Sequence, residues 1–473
     1  MLQAFRQKNH RIFSPLVWRV RIAFWLAALS VGGAGVGFAV TADHATTIHE
    51  YLIGISPWIT LIIAPLGMAG LVWTTERFVP EAGGSGIPQA IASLKVKATD
   101  PLRKRLMSPI VGLVKMVMTL VGLGLGASIG REGPTIHVGA AFMYSAGRLF
   151  RFPAHYLEKG LILGGSAAGL SAAFNTPLAG IVFAIEELHR DYQESTSGIV
   201  LTSVIFAGLT SLFLLGDYAY FGSVSTPLEM DKSWLAIPVC GVIGGLLGGL
   251  FSRMIVVGSR RLRNIRRIHP LVFGMACGLI IAVIGLLTHG HSYGTGYAEA
   301  RALLGNGEGA LANYHGDTFS PVFKFLATVV SYLSGIPGGL FSPSLATGAE
   351  LGGAMARIMP IAPAATVILL GMTAYFAGVV QTPITTFVIV MEMTNNNSLL
   401  VPLMATSVIA FASSRLICPE PVYHALSAGY MPAVKKPAPE AAAPEPEGSS
   451  GSEAQDADSS AESQQKQTSS NIA

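Results

Sequence analysis

Gly130-Arg131-Glu132-Gly133-Pro134 and Gly335-Ile336-Pro337-Gly338-Gly339-Leu340-Phe341-Ser342-Pro343 are helix-breaking stretches set among long apolar runs, and a third, Gly84-Ser85-Gly86-Ile87-Pro88, precedes them. Glycine and proline are the weakest helix formers. In a soluble protein such stretches would be ordinary loops. At membrane depth, broken backbone survives only where protein covers it or where it lines a pathway, because unpaired N–H and C=O groups are costly in hydrocarbon. The rest of the chain points to lipid. Of 473 residues, 51% are apolar and 12% charged, about half the charged share of a typical soluble chain. Mean hydropathy is +0.52, and long uncharged runs recur, which excludes a disordered polymer and opposes a soluble enzyme. The expected fold class is an all-α polytopic membrane protein.

Charge sets the expected topology. The first 42 residues carry Arg6, Lys8, Arg11, Arg19 and Arg21 but no acid, and 22–42 are uncharged, so the N-terminus is expected in the cytoplasm. A second apolar run at 51–75 argues against a cleaved signal peptide. Basic loops at 95–105 and at Arg253, Arg260, Arg261, Arg263, Arg266 and Arg267 read as inside, whereas 217–232 and 289–317 are slightly acidic and read as outside. The expected organisation is a basic cytoplasmic segment 1–21, a first transmembrane repeat 22–216, a second repeat 217–430, and a disordered acidic Pro/Ala/Ser/Gln-rich tail 431–473. Both termini are then cytoplasmic. The net charge of +4 averages unlike parts: from Pro437 onward one Lys stands against seven acids, leaving the remainder at +10. The basic groups fall in short loops, so nucleic acid is not an expected partner. Cys240, Cys277 and Cys418 lack the spacing of a disulfide framework or a zinc site.

An internal repeat supports the two halves. Laying 165–186 on 371–392, a shift of 206, gives six identities in 22 positions, including Thr-Pro and a terminal Glu. A shift of 205 places 130–134 on 335–339, another Gly/Pro break. Paired breaks in two halves point to a transporter site at the repeat interface. Each break resembles an unwound turn opening into a helix, whose first N–H groups lack partners and carry partial positive charge. Several such ends aimed at one point would hold an anion weakly enough to release it. Close helix packing is the competing use of these small residues.

The motifs G-S-G-I-P at 84–88, G-R-E-G-P at 130–134 and G-L-F-S-P at 339–343, followed by an isolated Tyr423, resemble the signatures of the CLC chloride channel and chloride/proton antiporter family. The resemblance spans about residues 20–430. It implies inverted-topology repeats of tilted and broken helices, a homodimer with one pore per subunit, chloride as the bound substrate ion and no cofactor. It also implies an anion site formed by Ser85, Gly86, Ile87, Leu340, Phe341 and Tyr423, with Gly130, Arg131, Gly133, Pro134 and Lys115 in support. A multi-pass protein of the bacterial inner membrane is the expected setting.

Glu132 is the leading functional candidate. A deep carboxylate is expensive unless paired or functional, and at a helix N-terminus it can occupy an anion site when ionised and leave it when protonated. The family's external gate stands at this position. Arg131 is expected to face elsewhere or to raise the local positive potential, a salt bridge to Glu132 being the competing arrangement. Glu186 matches Glu392 in the repeat and reads as structural, tying a helix end. Glu187 matches Met393, so it suits a task found in one half only, and the resemblance assigns it the internal proton acceptor of antiporters. That position favours an exchanger over a passive channel, the main alternative. Gln89 replaces a common family Glu, and Lys115 either adds positive potential or snorkels to the inner surface. A remote alternative is an intramembrane serine hydrolase using Ser128 of Gly126-Ala-Ser-Ile-Gly130 with His137 and His189. His289 and His291 alone are too few ligands for a metal site.

Overall fold

The computed structural model describes residues 15–152, 159–188, 194–216, 218–224, 228, 231–305, 318–360 and 362–431. The expected tail after Met431, the basic Arg6, Lys8 and Arg11, and His189 lie outside the described residues. The first half contains α1 (Pro15–Ile55), α2 (Thr60–Phe78), α3 (Ile87–Lys95), α4 (Pro101–Leu106), α5 (Pro109–Gly124), α6 (Glu132–Leu149), α7 (Leu161–Phe174), α8 (Pro177–Phe183) and α9 (Glu194–Leu215). The second contains α10 (Ala236–Ile268), α11 (Pro270–Leu287), α12 (Tyr297–Leu304), α13 (Ser320–Leu333), α14 (Phe341–Ile358), α15 (Ala364–Val380), α16 (Pro383–Thr394), α17 (Leu400–Arg415) and α18 (Val422–Ser427).

Among the described residues, five helical segments are long and apolar enough to cross a membrane: Trp18–Ile55, Pro57–Phe78, Gly198–Leu215, Lys232–Ile268 and Pro270–Leu287. The first is longer than its uncharged run. Helix α1 continues past Ala42, and within it Thr41, Thr46 and Thr47 return their hydroxyls to carbonyls four residues back, which satisfies those polar groups without leaving the helix. It ends before Pro57, which opens a short 3₁₀ turn. Most other helices are shorter, and α3, α6 and α14 open within the three Gly/Pro breaks noted above.

Helices α7 and α15 are fully interior, with every residue of α7 buried and every α15 residue after Ala364 buried. Their glycines permit close packing. A Cβ on Gly371 would lie 2.7 Å from Gly352 N in α14, so in this layer small residues serve helix contact. The breaks differ, because Gly84, Gly86 and Gly335 hold φ of +67°, +112° and +83°, a region side-chain-bearing residues rarely adopt.

The repeat is built into the backbone. Asn175 and Gln381 end α7 and α15 in the same left-handed conformation, φ 58° in both. Thr176 and Thr382 then follow with φ/ψ of −125°/82° and −124°/85°, and Pro177 and Pro383 open the next helices. Glu186, in a π-helical turn after α8, accepts hydrogen bonds from the N–H groups of Ile384 (3.1 Å) and Thr385 (2.6 Å) of α16. Glu392, near the end of α16, accepts from Leu178 (3.0 Å) and Ala179 (2.7 Å) of α8. Each half caps the other half's helix.

The register of the first break needs correction. Gly130 pairs with Gly339, not Gly335, so this part of the repeat is offset by 209 rather than 205. The offset also relates Lys115 to Lys324, Thr119 to Thr328 and Pro134 to Pro343. The two lysines are both fully buried and both donate to loop carbonyls, Lys115 to Gly84 (2.9 Å) and Lys324 to Tyr293 (2.8 Å). Backbone pairing sets this register, and glycine identity alone cannot distinguish one partner from another.

Candidate functional site

The three breaks meet. Gly84 N donates to Ile336 O (3.1 Å), and Gly338 N to Gly84 O (3.2 Å). Gly130 and Gly339 exchange both backbone bonds, at 2.8 and 2.7 Å. These bonds bring the N-termini of α3, α6 and α14 together. Gly133, in the first turn of α6, lies between the other two breaks: a Cβ there would stand 2.6 Å from Ser85 O and 3.2 Å from Gly339 Cα. Likewise a Cβ on Gly86, just before Ile87 opens α3, would stand 2.6 Å from Gly133 O. Pro134 continues α6 where no intrahelical donor is needed. Every side chain of this first turn is buried.

Glu132 is fully buried, and its carboxylate lies on the N-terminus of α14. One oxygen accepts from Ser342 Oγ and the other from Ser342 N at 3.4 Å. The acid of one half therefore occupies a helix start of the other. Leu340 and Phe341 precede Ser342 at this start, where an α-helix offers its N–H groups no intrahelical acceptor. Arg131 turns away from Glu132, as expected of it. Its guanidinium donates to Asp43 Oδ1 (2.6 Å) and Ala39 O (2.8 Å) and stands over the Tyr220 ring at 5.7 Å.

Ser85 and Tyr423 are buried neighbours whose hydroxyls face one another, and beyond that contact neither has a hydrogen-bond partner among the described residues. Buried hydroxyls are ordinarily satisfied, so two neighbouring ones fit a ligand that accepts hydrogen bonds, as chloride does. Tyr423 is held by stacking on Phe341, with centroids 6.0 Å apart and planes at 19°. Lys115 does not snorkel. It is wholly buried and secures the backbone just before Ser85 through Gly84 O and, at 3.4 Å, Gly83 O. Gln89 serves the same loop: its amide nitrogen donates to Gly83 O (2.7 Å), Glu81 O (3.0 Å) and Tyr430 OH (3.0 Å).

Glu187 is buried, 1% exposed, rather than solvated at a helix end. It lies in the same π-helical turn as Glu186, and its carbonyl is 2.9 Å from Nε2 of His424, the residue after Tyr423. Lys95, which donates to Ser427 Oγ at 2.9 Å, is near enough to attract its charge. Of the residues read as a hydrolase set, Ser128 and His137 are described, and each is engaged elsewhere. Ser128 Oγ pairs with Thr328 Oγ1 at 2.9 Å, while His137 Nε2 pairs with Leu106 O at 2.7 Å.

Ser342, Asp43, Tyr220 and Tyr430 join the site without having been singled out. Ser342 was inside a quoted motif, and a hydroxyl at a helix start was a usable signal. Asp43 and Tyr220 lie 88 and 89 residues from Arg131, and no local pattern links them.

The profile of the voltage gated chloride channel family matches residues 66–415. The chain belongs to this family, the CLC family. It is 31% identical over 454 residues to the H(+)/Cl(-) exchange transporter ClcA of Yersinia pestis bv. Antiqua (strain Angola), covering 89% of this chain and 90% of the relative. The Citrobacter koseri protein of the same name is 31% identical over 426 residues, covering 86% and 85%. The crystal structure of a slow cyanobacterial Cl-/H+ antiporter superposes with a TM-score of 0.74 at 26% identity, covering 87% of this chain and 97% of that one. The fold is accordingly the CLC fold, all-helical with its broken helices meeting at the centre.

Proposed function

We propose that this CLC protein is a secondary active transporter exchanging chloride for protons, with Glu132 as its protonatable gate. The observation that carries the reading is the Glu132 carboxylate on the N-terminus of α14, beside Ser85 and Gly133. Ionised, it takes the donors of Ser342. Protonated, it loses most of its attraction to that positive helix end, and chloride replaces it. Ser85, Gly86, Ile87, Leu340, Phe341 and Tyr423 then supply neutral donors and helix ends to chloride. Gly130, Arg131, Gly133, Pro134 and Lys115 keep those groups in place. One side chain thereby links proton binding to anion access.

Glu187 passes protons on the other side of the barrier, and the exchange names of the ClcA relatives and the cyanobacterial antiporter support this over passive conduction. The protein works without a cofactor, as a homodimer with one pore per subunit in a bacterial inner membrane. Its repeats occupy 22–216 and 217–430, with the segment 1–21 and the tail 431–473 in the cytoplasm. The test is transport by purified protein in sealed vesicles, where an imposed chloride gradient is expected to drive protons uphill. Glu187→Gln should retain chloride passage and lose proton movement. Chloride flux without proton movement in the unaltered protein would leave a channel.

A further inference from the structure

A second basic feature lies apart from the Glu132 site. Between the ends of α2 and α10 and the residues after α18 is a cavity of about 320 Å³. Arg105, Arg263, Arg266 and Arg267 line it together with Glu76 and Glu81. Glu76 is shared by Arg266 and, at 3.8 Å, Arg267, while Glu81 pairs with Arg105. Arg263 has no carboxylate partner among the described residues, and its Nη2 lies 2.8 Å from where a Cβ on Gly429 would stand. Four guanidiniums thus face two carboxylates. The cavity also reaches Gly83 and Gly84, the residues immediately before Ser85.

We infer that this cavity binds a phosphate-type oxyanion and that its occupant obstructs the approach to Ser85. Chloride in so wide a space would keep its water, so the cavity is poorly built for it. A phosphate group offers several oxygens to planar guanidinium forks, each able to take two parallel hydrogen bonds. The volume accommodates a phosphate or pyrophosphate with its substituent. The same chemistry is carried by a soluble phosphate compound and by a lipid headgroup. Binding does not depend on the exchange reading, whereas the obstruction does.

The probe is inorganic pyrophosphate, titrated at constant ionic strength onto the full chain in phosphatidylcholine nanodiscs, with binding read by calorimetry. Saturable binding is expected, at least tenfold weaker in Arg263→Gln and severalfold tighter in Glu81→Gln, which removes a competing carboxylate. Arg261→Gln, off the cavity and exposed, should bind as the parent does. Opposite shifts in two variants separate the site from misfolding. In a second arm, phosphatidic acid replaces part of the phosphatidylcholine. A tenfold loss of pyrophosphate affinity there, abolished by Arg263→Gln, assigns the headgroup as occupant; no loss assigns a soluble phosphate. Binding that is absent, or that ignores both substitutions, overturns the site. In vesicles, chloride flux should fall as pyrophosphate saturates on the Arg263 face, and binding with undiminished flux overturns the obstruction. Pyrophosphate binding by a protein that moves no chloride would sink the transport reading and leave this site standing.

Discussion

Glu186 and Glu187 are adjacent acids with different surroundings, and substitution of each should separate stability from coupling. The Glu186 carboxylate accepts from two backbone N–H groups at the start of α16, at 3.1 and 2.6 Å, and Glu392 mirrors it at the start of α8, at 3.0 and 2.7 Å. Hydrogen bonds to an ionised group contribute about 1.5–3 kcal/mol each. Glutamine keeps a single neutral acceptor, of about 1 kcal/mol, and turns a donor toward the second N–H. The outer bond of each pair, to Ile384 or Leu178, is exposed, which lowers the difference to about 2–3 kcal/mol per site. Glu186→Gln and Glu392→Gln should therefore each lose roughly this much in reversible unfolding of the purified protein in detergent, and the double variant more than either. Surviving folded Glu186→Gln should still couple protons to chloride in vesicles. Unaltered stability in both single variants would refute the capping argument. Lost coupling in Glu186→Gln at unaltered stability would refute the division of labour between the two acids.

Other outcomes follow from the site. Tyr423→Phe removes the phenol hydroxyl but keeps the stack on Phe341, so chloride binding by calorimetry should weaken about fivefold, the equivalent of about 1 kcal/mol; unchanged affinity would exclude Tyr423 from the anion site. Gly86→Ala must hold φ near +112° and place a Cβ 2.6 Å from Gly133 O. It should lose folded yield and transport together, and a well-folded active variant would show that the α3–α6 contact can relax. Lys115→Met leaves the Gly84 carbonyl without its 2.9 Å donor and should cost about 1–3 kcal/mol, with weaker chloride binding because the loop before Ser85 loosens. Retained stability and affinity would assign that loop's order to Gln89 and Tyr430 instead.

Much of this protein was legible without coordinates. Composition alone selects lipid as the solvent, and Gly/Pro breaks inside apolar runs mark where helices open, because both are local properties of the chain. The depth of Glu132 and the structural character of Glu186 were readable for the same reason: a carboxylate among apolar residues is costly wherever it lies, and a residue recurring in both halves serves something both halves need. What the tertiary structure decided is partnership. Ser342 meets Glu132 across 210 residues, and Arg131 turns to Asp43 rather than to the acid beside it. The register of 209 follows from main-chain hydrogen bonds between Gly130 and Gly339, and glycine carries no side chain by which such a pairing could be read. Lys115 could point to the inner surface or to the loop before Ser85, and only the packed fold buries it against Gly84 O. The burial of Glu187 likewise has no local signature, and its carbonyl meets His424 of α18 across 237 residues. The sequence determined the solvent, the breaks and the acids; tertiary contacts decided which helix end each acid meets, since that depends on chain segments some two hundred residues apart closing on one another.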